Sequence, residues 1–89
     1  MPCVYILYSE VTNKFYVGSS REGGADKRLK SHNAGKNKST KSGRPWRLFY
    51  EEQTSDYTDA RKKEIFLKSG VGRRWIKESF KRRRDGRVA

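Results

Sequence analysis

The longest strongly apolar run in this chain is only five residues, Val4-Tyr5-Ile6-Leu7-Tyr8. It is β-branched and aromatic, so it reads as a strand. The run falls far short of the roughly 20 residues that cross a bilayer, and no basic segment precedes it, so neither a membrane helix nor a secretory leader is expected. At 89 residues, the chain has material for one small domain, whose single modest core must supply most of the stability. An aromatic content of 12% argues against disorder. Cys3, the only cysteine, can form neither an internal disulfide nor a cysteine-rich zinc site. The expected compartment is the cytosol, in association with the nucleoid.

Thr12-Asn13-Lys14 supplies turn chemistry between the first run and a second, Phe15-Tyr16-Val17, which predicts a hairpin closed by the Gly23-Gly24 break. Gly18, just after Tyr16, suggests close approach of a backbone or ligand. Asp26 is a candidate N-cap for a helix to about Asn33, with Gly35 closing it. Asn33 to Pro45 reads as a long polar loop, and such loops are often functional. Trp46 to Gln53 reads as a third strand. A second helix is expected from about Tyr57 to Ser69, ended by Gly70, and a third from near Gly72. That last helix would carry Trp75, Ile76 and Phe80 inward before dissolving into Lys81, Arg82, Arg83 and Arg84. The order ββαβαα predicts an α+β fold, with a domain over 1–80 and a basic tail over 81–89.

The net charge of +12 points to a polyanionic partner, nucleic acid before acidic membranes or proteins. The charge is segregated. Lys27 to Arg47 holds eight basic residues and no acid, and Arg73 to Ala89 holds eight against two acids, while Glu51, Glu52, Asp56 and Asp59 form an acidic island between them. Lys36, Lys38, Lys41, Arg44, Arg82, Arg83 and Arg84 are the candidates for gripping phosphates, with steep salt dependence and little base specificity.

Tyr57, Ala60, Glu64, Leu67 and Val71 recur at helical spacing, so a carboxylate lies on an otherwise inward stripe. It is either ion-paired, with a nearby Arg or Lys or with Lys68 one turn on, or a ligand for a hard divalent ion. Arg28 and His32, four apart, stack on one helix face and can address the same phosphate, the arginine as a clamp and the imidazole as a proton acceptor. Each also has a plain alternative as a surface residue. Tyr5 and Tyr16 read as ordinary cross-strand neighbours.

Cys3-Val4-Tyr5 followed by Tyr16-Val17-Gly18 resembles the motif pair of the GIY-YIG endonuclease family. The resemblance continues through Arg28 and His32, Ser39-Thr40-Lys41, Pro45-Trp46, and Ala60 with Glu64, to about Lys77, and it is strongest to small stand-alone bacterial members. It implies a three-stranded antiparallel sheet flanked by helices and hydrolysis of DNA phosphodiesters with Mg²⁺ or Mn²⁺. It also implies that Glu64 is the metal ligand, Arg28 the catalytic arginine, Tyr5 and Tyr16 the motif tyrosines, and His32 a position held by His or Tyr. Tyr5, or else Tyr16, would serve as general base, its phenol lowered by nearby cations, with His32 orienting the water or taking its proton. Two departures stand out: Cys3 replaces the first motif glycine, and no Asn follows Asn37. The competing readings are a non-catalytic nucleic-acid-binding module and an adaptor for an acidic protein. Single-stranded or branched DNA is the expected substrate form. Double-strand scission would require a homodimer or sequential nicking, and a DNA repair role stands beside recombination, restriction and mobile-element roles.

Overall fold

The computed structural model describes residues 1–22 and 24–86, with side chains as far as residue 82. Its elements are β1 (Cys3–Ser9), β2 (Lys14–Ser20), α1 (Gly24–Asn33), a 3-10 turn (Lys38–Gly43), β3 (Trp46–Gln53), α2 (Tyr57–Lys68) and α3 (Gly70–Gly86). The three strands form one antiparallel sheet in the order β2-β1-β3, so the fold is α+β with flanking helices.

The apolar run explains the sheet's centre. Val4, Tyr5, Ile6 and Leu7 are all at most 3% exposed, which requires cover on both faces and therefore a strand without polar alternation. On one face Val4, Ile6 and Val17 pack against Leu67 of α2 and Ile76 of α3. On the other, Cys3, Tyr5 and Leu7 pack against Ala25 and Leu29 of α1 and against Trp46. A register shift between Ile6 and Leu7 leaves Phe49 of β3 between the paired Leu48 and Tyr50, and its ring joins Phe15 and Phe80.

Several local expectations are corrected. The amide of Ala25 at the start of α1 is accepted by the Glu51 carboxylate across the sheet at 3.1 Å, so the partner is 26 residues away, and Asp26 lies inside the first turn. Gly35 does close α1, at φ +80°. The polar segment after α1 is pinned: Asn33 grips both backbone groups of Trp46, and the Trp46 indole donates to the Thr40 carbonyl at 2.7 Å. Ser69, not Gly70, ends α2, its hydroxyl donating to the Phe66 carbonyl and accepting from the Gly72 amide. Consequently α3 starts at Gly70, and it continues through Gly86 instead of dissolving at Lys81. Val71 is 65% exposed and leaves the inward stripe, while Trp75 is half in solvent against Tyr50. Gly23 and Arg87 lie outside the described residues, as do the side chains of Arg83 and Arg84. Among the described residues no helix is long and apolar enough to cross a membrane.

Candidate active site

Strand β2 forms one edge of the sheet, and α1 and α2 approach that edge from opposite faces. Between them opens a cleft of about 450 Å³ lined by Tyr5, Tyr16, Arg28, His32 and Glu64. The five candidates singled out in the sequence thus meet at one place, delivered by four elements. Lys36 and Lys38 also line the cleft. Lys41 and Arg44 are exposed on the segment beyond, with the Arg44 guanidinium turned back to the Lys41 carbonyl.

Pairing explains the tyrosines. Tyr5 stands opposite Gly18 and Leu7 opposite Tyr16, so both phenols share the α1 face of the sheet. A Cβ on Gly18 would lie 2.6 Å from the Tyr5 hydroxyl and 2.7 Å from its Cζ. The close approach anticipated at this glycine is therefore made by the Tyr5 ring itself. Tyr16 packs on the His32 ring at 4.7 Å and on Tyr5 at 6.5 Å.

His32 is only 4% exposed and sits in a directed chain of partners. Its Nδ1 lies 2.8 Å from Thr40 Oγ1, and that hydroxyl donates to the Asn37 carbonyl. With the Thr40 proton on the Asn37 carbonyl, Thr40 Oγ1 accepts from Nδ1–H and Nε2 keeps its lone pair. The Tyr5 hydroxyl, 3.3 Å from Nε2, is then the donor. Burial, and then the charge of Arg28, hold the His32 pKa below its usual value. Burial, and then the Tyr16 phenol, raise Tyr5 well above an ordinary phenol, and Arg28 offsets only part of this. The expectation that surrounding cations lower this phenol toward neutrality is thus reversed: desolvation dominates at a nearly enclosed site.

Glu64 is 5% exposed and fully partnered. Its Oε1 accepts from Ser19 at 2.6 Å and Arg61 at 2.7 Å, and its Oε2 accepts from Lys68 at 2.7 Å. Burial raises its pKa, but hydrogen bonds from Lys68 and Ser19 together with the charges of Lys68 and Arg61 outweigh it and hold the carboxyl below the usual range. The ion-pair alternative for this acid is realised, with Arg61 and Lys68, and the side chain also lines the cleft. Arg61 and Lys68 are each about half exposed, at 50% and 51% of their side chains.

Among the described residues no three His, Cys, Asp or Glu cluster as a metal-binding group. A hard divalent ion that fills most of its shell with water and phosphate oxygens needs only one or two carboxylates, and an ionised Glu64 fits that requirement. Ser19, Arg61, Lys68 and Thr40 are the parts of the site the sequence reading assigned no role, apart from Lys68 as an ion-pair candidate.

The GIY-YIG catalytic domain model matches residues 1–79 of the chain. The chain belongs to the GIY-YIG family. Comparisons with curated proteins and with solved structures return no match. A GIY-YIG domain is a nuclease domain. Cys3, where the motif's first glycine stands, is the first residue of β1, paired with Ser20 and Gln53 and fully buried against the α1 side, so this position accommodates a side chain.

Proposed function

We propose that this GIY-YIG protein is a metal-dependent endonuclease that hydrolyses DNA phosphodiesters in the cleft at the β2 edge. The reading rests on the convergence of Tyr5, Tyr16, Arg28, His32 and Glu64 there. A phosphodiester resists water because its own charge repels nucleophiles and its alkoxide leaves poorly, so the site must neutralise charge and activate water. Arg28 clamps the phosphoryl oxygens. Glu64 would hold Mg²⁺ or Mn²⁺, which would supply charge stabilisation to the phosphoryl group. Arg61 and Lys68 exchange the carboxylate for the incoming phosphate.

Tyr5 acts as a relay. As water attacks phosphorus and the P–O bond to the departing alkoxide breaks, the water's proton passes to the Tyr5 oxygen while the Tyr5 proton passes to Nε2 of His32, so the phenol ends neutral, the imidazole cationic, and the alkoxide takes a proton from solvent. No free phenolate is needed, which suits a tyrosine whose pKa is raised. Thr40 holds the tautomer that accepts this proton.

One observation favours the non-catalytic module instead: both carboxylate oxygens of Glu64 are occupied by cations. Labelled single-stranded, duplex and branched DNA, incubated with the purified protein in Mg²⁺ or in chelator, separates the two readings. The nuclease reading expects Mg²⁺-dependent cleavage that Glu64→Gln and Arg28→Ala abolish with the fold intact. Binding without cleavage in every condition would establish the module.

A further inference from the structure

Next to the candidate active site lies a second groove, of about 790 Å³, between the β2 edge and the helices α2 and α3. Its floor is apolar, built from Phe15, Val17, Leu67, Ile76 and Phe80. Phe15 and Phe80 are only half-buried and meet edge to face at 5.3 Å, so part of their ring surface lies along the groove. Among the described residues, four cations, Lys14, Lys68, Arg73 and Lys77, line the same groove and no acidic residue does. Two residues join it to the cleft: Tyr16 lines both, and Lys68 reaches from the groove to the Glu64 carboxylate.

An apolar floor with aromatic rings, edged by four cations and Asn13, complements a ligand that is flat and apolar in one part and anionic in another. A nucleotide with its base unpaired has that character, and an aromatic platform beside a cationic track is how single strands are held without sequence preference. A base-paired duplex hides its base faces and offers only its phosphates. We infer that this groove binds one or two unpaired nucleotides of the DNA strand whose neighbouring phosphate occupies the cleft, and that it directs the protein to single-stranded or flapped DNA. The inference rests on the nuclease reading for the identity of the polymer, while the groove's own chemistry carries the preference for unpaired bases.

The test measures binding in chelator, so cleavage plays no part. The full chain is titrated into three oligodeoxynucleotides carrying 2-aminopurine: a single strand, a blunt duplex, and a duplex with a single-stranded flap. Anisotropy reads affinity, and quenching of 2-aminopurine reads stacking. The two unpaired probes should bind about tenfold more tightly than the blunt duplex at equal salt, with quenching only in the unpaired segment. Phe15→Leu and Phe80→Leu keep apolar volume but remove the ring, and each should weaken the unpaired probes several-fold while leaving the duplex unchanged. Should either variant unfold, the exposed pair Arg73→Glu and Lys77→Glu provides a second reading and should weaken unpaired probes more than duplex. Equal affinity for all three probes without quenching would overturn the inference. So would a dimer that conceals the groove and dissociates on Phe80→Leu. Quenching without turnover in Mg²⁺ would remove the nuclease reading and keep the groove, and turnover without quenching would do the reverse.

Discussion

His32 shows how one side chain links the site to stability. It is buried among Tyr5, Tyr16 and Thr40, with Arg28 one helical turn before it, and burial first, then the Arg28 charge, favours the neutral ring. Its folded pKa lies below its unfolded value, so below about pH 6.5 the unfolded chain takes up the proton first. The contribution is therefore complete above that pH and is lost as pH falls toward the folded pKa. The thermal midpoint should drop between pH 7 and pH 5, with about 4–8 °C lost for each kcal/mol in a domain this small. His32→Gln should flatten that drop, and an equally steep drop in the variant would assign it to another group. Glu64 titrates in a separate window, since its lowered pKa places its loss of stability at more acid pH. At this scale Arg28, His32 and Glu64 were legible because helical spacing is a local property. Ser19 was not, because its partner is 45 residues away, and Arg61 was hidden as one cation among many on a charged helix.

Among the elements, the α2–α3 junction carries the tightest backbone constraint. A Cβ on Gly72 would meet the Phe66 carbonyl at 2.1 Å and Leu67 Cα at 2.5 Å, backbone atoms that cannot rotate aside. A Cβ on Gly70, two residues earlier, would meet nothing within 4 Å, and that residue is not at positive φ. Gly72→Ala should therefore destabilise by about 1–3 kcal/mol or more in denaturant melts, while Gly70→Ala should be neutral or add up to about 1 kcal/mol. Equal effects would show that the helices are free to separate here. The same junction marks where sequence reading ran short. Gly70 looked like the terminator because glycine commonly ends helices, yet Ser69 performs that task with one hydroxyl serving both helices. The hairpin, the third strand and α2 were readable from turn and cap residues next to them in the chain. The Glu51 cap on α1 and the Thr40 anchor depend on contacts made only after the sheet closes.

For the molecule as a whole, the excess of twelve positive charges acts through where it is placed. Arg28, Lys36, Lys38 and Arg61 converge on the cleft, and Lys14, Lys68, Arg73 and Lys77 on the adjoining groove, whereas Lys63 pairs with Glu52 and Arg47 with Glu10 outside both. The charge runs of the sequence foretold a polyanion ligand but could not say which cations face it, because that depends on how α1 and α3 are set against the sheet. Each phosphate neutralised releases condensed counterions, so the logarithm of affinity should fall linearly with the logarithm of salt, by about 0.7 per contact on a single strand. Removing Lys36 and Lys38 together should make that slope shallower by about 1.4 and weaken binding to every sequence alike. Arg47→Ala, which removes an exposed pair beyond the cleft, should leave the slope unchanged. A slope that responds equally to both variants would mean that the +12 charge attracts DNA as a diffuse cloud, with no track along the β2 edge.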